Sequence, residues 1–365
     1  MRENKLSKFE GICFILICMI NEIILNIPQN FIITTGTGAL INLIIISIIT
    51  LLFCFFISKL FKNFSNSDLI DISEFVGGKI LKFIVGFIFI LFFILLASLA
   101  ISHFSHLIKT IYFHKSPILF VFMFFIFGML VANILGFNSI KKTACLIIPF
   151  SIISLIILSV NSFDEFTLYR LTPILGKNIK TTFLSGLINI SSFSIVIYYY
   201  FITPFLINKK DHFKIIKYTL LISFILIGLL IIAILTRFSG FGNSETINSV
   251  YMLTRSISLS DFLQRVDALF ILLWIISLYI YLSILLFWTI HIFGKLFNIK
   301  NKKSLSYSFS FLILGLTILF FNTNFLDITK TNTYKFICIS IIFGIGFIIL
   351  CIANIKKKKS NPKIS

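Results

Sequence analysis

Acidic residues are scarce: 13 Asp and Glu stand against 32 Lys and Arg in 365 residues, and charged residues of both signs make up only 12% of the chain. With 58% hydrophobic residues and a mean hydropathy of +1.05, there is too little polar surface to cover a water-soluble globule. This places the chain among polytopic membrane proteins. The six cysteines, Cys13, Cys18, Cys54, Cys145, Cys338 and Cys351, show no CxxC or Cys/His spacing, which argues against a disulfide framework or a zinc site. They read as small hydrophobes. HExxH, GxSxG, a P-loop and a paired acidic motif for a metal-bound phosphate are all missing, so neither an enzyme nor a cofactor or metal is expected. No small-residue cleavage site follows the first apolar run, and the acid inside it is wrong for a signal peptide, so the run is expected to stay as a span. No soluble domain or low-complexity tract interrupts the chain.

What is present is a series of apolar runs. At about twenty residues per span, ten helices are expected, over 11–28, 38–58, 80–108, 117–135, 144–160, 182–206, 214–236, 264–291, 306–321 and 335–353. The net charge of +19 does not indicate nucleic acid, because the basic residues come in short clusters between the runs. With the N-terminus inside, roughly 22 of the 32 basic residues fall on cytoplasmic pieces, including Lys356–Lys359, and both termini are then cytoplasmic. Between the second and third spans, Ser67–Lys82 sets Leu69, Ile70, Ile72, Phe75 and Val76 on one side of a short helix along the cytoplasmic face. The polar outer segment Asn161–Thr181 divides one integral domain, residues 1–365, into two sets of five helices, about 9–160 and about 182–353. That division suggests an all-α membrane fold of two inverted repeats, in which the first helix of each repeat is broken near the midplane.

Spans one and six are the best candidates for such breaks. In span one, Asn21 and Glu22 interrupt an apolar run, and an ionisable group at that depth costs roughly 2.5–3.5 kcal/mol even on lenient insertion scales, so it commonly carries function. Glu22 is suited to binding a substrate ammonium or carrying a proton; the competing reading is a buried, hydrogen-bonded carboxyl that holds helices together. In span six, Asn189, Ser191, Ser192 and Ser194 lie at a comparable depth, although Ser and Asn also serve as interhelical glue. The run Tyr198–Tyr200 cannot face one cavity in full, since consecutive helical residues point about 100° apart; Tyr199 is assigned to the cavity side. Spans one and six are expected side by side, with these interruptions at similar depth. The segment Gly240–Gln264 is expected to form a helix or lid over the cavity, from the spacing of Val250, Leu253 and Ile257 beside Tyr251 and Arg255. His103 and His106 lack a third ligand and read as interfacial polar residues rather than a metal pair. Arg265 and Asp267, two apart, read as interface residues.

Several segments, taken in order, resemble one family. They are Lys5-Leu6-Ser7 before span one, Asp71-Ile72-Ser73-Glu74 with Gly77-Gly78-Lys79, Leu135-Gly136-Phe137 with Ile148-Pro149-Phe150, Arg170-Leu171-Thr172-Pro173-Ile174-Leu175-Gly176-Lys177, and Asp261–Phe270 running into Leu273-Trp274. The chain resembles, over nearly its whole length, the spore germination permeases, the B-subunits of nutrient germinant receptors in endospore-forming bacteria. The resemblance implies the broken-helix fold of the amino acid/polyamine/organocation transporter superfamily. It further implies recognition of a small germinant such as an amino acid, in the spore inner membrane beside an A-subunit and a lipoprotein C-subunit. A proton-coupled amino-acid permease acting alone is the alternative. The chain departs from the pattern in carrying Asn21-Glu22, and no glycine, at the expected break in span one.

Overall fold

Ser7 starts the first helix. Its Oγ accepts from the Glu10 N–H at 3.3 Å while the Glu10 carboxylate accepts from the Ser7 N–H at 2.8 Å, a reciprocal cap that satisfies two donors at once. Helix α1, Lys8–Leu25, stops at Asn26, whose backbone (φ −148°, ψ −24°) leaves the helical region, and α2 resumes over Ile27–Thr35. The first span is therefore broken, but one turn later than Asn21-Glu22, which lie in regular helix. The cause is Pro28, which has no N–H to give the Ile24 carbonyl; Asn21 and Glu22 take nothing from the backbone ladder. The computed structural model describes residues 5–160, 167–176, 178–238, 248–256, 266–299, 301–323 and 331–360, and among them there is no β-strand.

A short turn at Gly36–Gly38 leads into α3, Ala39–Phe61. Asp68 caps α4, Leu69–Ile111, which bends at Gly77 and at Gly78 (φ +68°, ψ −161°), a left-handed position suited to glycine. The bend divides a short helix from the span. Leu69, Ile70 and Ile72 are buried beneath that helix as expected, whereas Phe75 is 41% exposed; there the Lys356 Nζ lies 5.3 Å from its ring centroid. Helix α5 covers Ile118–Leu135 and α6 Phe137–Val160. After α7 (Ile179–Phe183) and α8 (Val196–Tyr199) come α9 (His212–Arg237), α10 (Ser249–Arg255), α11 (Val266–Phe297), α12 (Lys302–Asn322), α13 (Asn332–Ile339) and α14 (Gly346–Ser360).

Eight helical stretches among the described residues are long and apolar enough to cross a membrane, which makes this a multi-pass membrane protein. The two expected spans that do not qualify are the first and the sixth. Helix α1 carries Lys8, Glu10 and Glu22 within 18 residues. The sixth is not one helix: α7 gives way to a 3-10 stretch, Ser185–Ser192, and an irregular turn at Phe193 precedes the single turn of α8.

These two interrupted segments lie side by side and antiparallel through the core. Phe31 meets Phe193 with ring centroids 6.5 Å apart, Tyr198 lies beside Cys18, and the Leu6 N–H donates to the Phe205 carbonyl at 2.7 Å. The break at Asn26 falls between the first two of these pairings, whereas Phe193 is level with Phe31, five residues further along the first segment. At the Leu6 end, Lys141 closes the seam by donating to the Lys5 carbonyl at 2.8 Å and pairing with Glu10 at 3.2 Å. The motif Arg170–Gly176 fastens the opposite end: Arg170 donates to the Thr236 and Arg237 carbonyls that end α9 (3.0 and 2.8 Å), and the Pro173 carbonyl accepts from Thr37 at 2.7 Å.

Candidate functional site

Glu22 projects from the last full turn of α1. Its neighbours Ile20, Asn21, Ile23 and Ile24 are buried, while Glu22 itself retains accessible surface. That surface lies inside the bundle, because the groups around the carboxyl are Tyr281, Tyr198 and Cys18, with Tyr334 and Cys338 beyond them. The Tyr281 hydroxyl donates to Glu22 Oε1 at 2.7 Å. The second carboxylate oxygen takes no hydrogen bond from any described residue.

Beside this pair stands the Tyr198 hydroxyl, on a side chain 2% exposed and next to the Cys18 thiol and Tyr281, yet without a hydrogen bond of ordinary geometry. A buried phenol without a partner costs about 1–3 kcal/mol. The cost is offset when a ligand group supplies the bond. A carboxylate with one oxygen fixed, an unpartnered phenol and an apolar surround can orient a small molecule through a positively charged amine.

The other expected site residues are distributed more widely. Asn21 turns to α11: its Nδ2 donates to the Ile17 and Ser277 carbonyls (2.9 and 3.2 Å) and its Oδ1 accepts from Ser277 Oγ at 3.3 Å. It sets the register of α1 on α11 and thereby the meeting of Glu22, the next residue of α1, with Tyr281, one turn beyond Ser277 on α11. Asn189 is not level with Glu22. Its Nδ2 donates to Thr34 Oγ1 at 2.7 Å and Asn42 Oδ1 at 2.9 Å, so it is fixed near the C-terminal end of α2. Ser191 Oγ returns to the Ile188 carbonyl at 2.8 Å; Ser192 ends the 3-10 stretch, and Ser194, 8% exposed, sits in the irregular turn. Tyr199 points away from Glu22. Its ring stacks on His212 at 3.8 Å between centroids, with the planes 7° apart, and its neighbour Tyr198 takes the place beside the carboxyl. The 3-10 turns that precede α8 rotate the run by more than an α-helix would.

His103 Nδ1 lies 3.4 Å from Asn26 Nδ2 at the break, and the His106 ring lies 6.3 Å from that of Phe321. Among the described residues no group of three or more His, Cys, Asp or Glu could hold a metal ion. Asp267 accepts from the Tyr112 hydroxyl at 3.1 Å; Arg265 lies outside the described residues, as do Ile257 and much of the expected lid around α10.

A second polar centre lies at the start of α4, where Asp68 is wholly buried. Its Oδ1 caps α4 by accepting from the Ile70 and Asp71 N–H groups, both at 3.1 Å. Its Oδ2 accepts from Lys295 at 2.6 Å and lies 3.1 Å from His291 Nε2, and Lys295 also reaches Asp71 at 2.7 Å. Burial alone would raise the Asp68 carboxyl, but His291 and Lys295 outweigh it and hold the group well below the usual carboxylate range. The Leu69 N–H donates to the Tyr200 carbonyl at 3.1 Å, so this charged knot ties α4, α11 and the sixth segment together. Its sequence signals are local and modest: an Asp three residues before a second Asp, and a His and a Lys four apart on one helical face.

A sequence profile described as "Spore germination protein", for the spore permease family, matches residues 5–326. Two proteins of Bacillus subtilis are similar to the chain. Spore germination protein A2 is 22% identical over 360 residues, covering 97% of each chain. Spore germination protein KB is 25% identical over 280 residues, covering 73% of this chain and 74% of the other. Taken with the multi-pass helical fold, and with a match that runs through both interrupted segments and the charged knot, this means that the chain belongs to the spore germination protein family.

Proposed function

We propose that the protein is a membrane-embedded subunit of a nutrient germinant receptor, working in the spore inner membrane beside an A-subunit and a lipoprotein C-subunit, with both termini cytoplasmic. It binds a small germinant that carries a primary amine, an amino acid being the simplest, with Glu22 receiving the ammonium group and Tyr281 and Tyr198 orienting it. Asn21 and Asn189 act on the helices that carry the site rather than on the ligand. Binding, rather than covalent chemistry, is its activity. The observation that carries this reading is the partly accessible Glu22 carboxyl inside the bundle, with one oxygen fixed by Tyr281 and an unpartnered buried hydroxyl beside it. The cytoplasmic placement of the termini rests on the distribution of Lys and Arg.

Thermal unfolding of the purified protein with a panel of candidate ligands tests the ligand class. A ligand that binds only the folded state adds RT ln(1 + [L]/Kd), about 2.7 kcal/mol at a hundredfold excess over Kd. At least one amino acid should raise the melting temperature saturably, and its deaminated hydroxy-acid analogue should not. Equal stabilisation by the two, or stabilisation by sugars alone, would rule out an amine held at Glu22.

A further inference from the structure

Helix α10 is short, but it is deeply seated. Ser249, Val250, Leu253 and Thr254 are each at most 2% exposed, and the helix packs against α1, α2, α9 and α11. Both its ends are tied to neighbouring helices. At its C-terminal end, Arg237 Nη2 from the end of α9 donates to the Ser256 carbonyl at 2.6 Å. At its N-terminal end, Asn248 does two jobs. Its Oδ1 accepts from the Val250 and Tyr251 N–H groups at 3.0 and 3.1 Å, capping α10. Its Nδ2 donates to the carbonyls of Ile24 and Leu25 at 2.9 and 2.5 Å.

The two roles fix the amide orientation, since only the oxygen can accept from the two N–H groups and only the nitrogen can donate to the two carbonyls. Those carbonyls belong to the break in α1. The residue four positions beyond Ile24 is Pro28, which cannot supply the helical bond, and a buried carbonyl left without a donor is costly. Asn248 supplies that bond from a different element, at a point two to three residues outward of Glu22.

We propose that Asn248 is a latch: its amide holds α10 across the outer approach to Glu22, and release of its two hydrogen bonds to the Ile24 and Leu25 carbonyls opens that approach. The break in α1 is thus also the keeper on which the latch closes, and the accessibility of the site is set by a competition for two main-chain acceptors. The latch does not depend on the identity of the germinant or on whether Glu22 binds it.

The native thiol of Cys18, 2% exposed and beside Tyr198 in the Glu22 cluster, reports opening. The full-length protein in liposomes is treated from the outer face with a small membrane-impermeant methanethiosulfonate, and modification of Cys18 and of Cys54, which is 0% exposed on α3, is followed by mass spectrometry. Asn248→Asp keeps the cap on α10 but sets an oxygen against the two carbonyls; Asn248→Ser keeps a good cap and removes the amide donor. Each should label Cys18 about tenfold faster than the natural protein or more, with Cys54 unchanged. Two ordinary hydrogen bonds of about 1 kcal/mol each set that scale. An unchanged Cys18 rate in either variant that assembles would overturn the latch, and so would equal acceleration at Cys54, which would mean general loosening.

Discussion

Replacing Lys295 by methionine is expected to lower the stability of the folded protein by about 3 kcal/mol, the lower end of the range for breaking a buried pair. Methionine keeps the apolar stem and removes the charge. It leaves Asp68, whose side chain is 0% exposed, facing His291 alone. The lower end applies because the Lys295 side chain is itself 25% exposed. Adding Asp68→Asn to the same chain should recover more than half of the loss, since the amide oxygen can still cap α4 while no carboxylate is left buried. The reading is urea or thermal unfolding in detergent, with membrane abundance beside it. A single variant as stable as the natural protein, or a double variant no better than the single, would remove the charged knot from the account.

The pH dependence has a definite sign. A carboxyl whose folded value is depressed stabilises the fold above its unfolded value, about 3.9 for Asp, and loses that contribution as the pH falls through the folded value. For the natural protein, the part of stability owed to Asp68 should therefore be flat from neutrality down to about pH 5 and decline only in strong acid. Without Lys295, His291 alone holds the carboxyl down against burial, so the carboxyl sits higher than in the natural protein and acidification should narrow the stability gap between the two.

The second large effect concerns response. Spores carrying Glu22→Gln should need about 10- to 100-fold more germinant for a half-maximal response, with normal protein abundance. A hydrogen bond to a charged group contributes roughly 1.5–3 kcal/mol, and 1.4 kcal/mol corresponds to about tenfold. Glutamine matches the size of the residue and can still accept from Tyr281, so helix packing is preserved. If Glu22 served only to hold helices together, the amide would replace it with little loss. Tyr281→Phe should act in the same direction more weakly, because it frees Glu22 to move without removing its charge.

Much of this was legible along the chain because membrane insertion demands long apolar runs. The span limits of α5 and the end of α6 follow from that demand, whereas α6 begins at Phe137, seven residues before the expected 144, and the bend in α4 follows from Gly77-Gly78. The pairing of two interrupted segments was also legible, since Asn21-Glu22 and Asn189–Ser194 are the polar interruptions of the first and sixth runs. The position of the break was not, because it depends on a missing N–H at Pro28 and not on the polarity of residues six and seven positions earlier. The choice of Tyr198 over Tyr199 depends on 3-10 winding, which composition does not reveal. The knot of Asp68, His291 and Lys295 joins residues more than 220 positions apart, and the link from Asn248 to Ile24 is of the same kind.

Loss of response can arise from failed recognition or from failed transmission, and only binding separates them. The most direct measurement is saturation binding of a labelled germinant to purified natural protein and to Glu22→Gln, each shown to be folded by its unfolding transition. The natural protein should bind saturably, and Glu22→Gln should bind at least about tenfold more weakly, in proportion to its loss of response. Equal affinity of the two proteins would place the ligand elsewhere and contradict the assignment of Glu22 as the group that receives it.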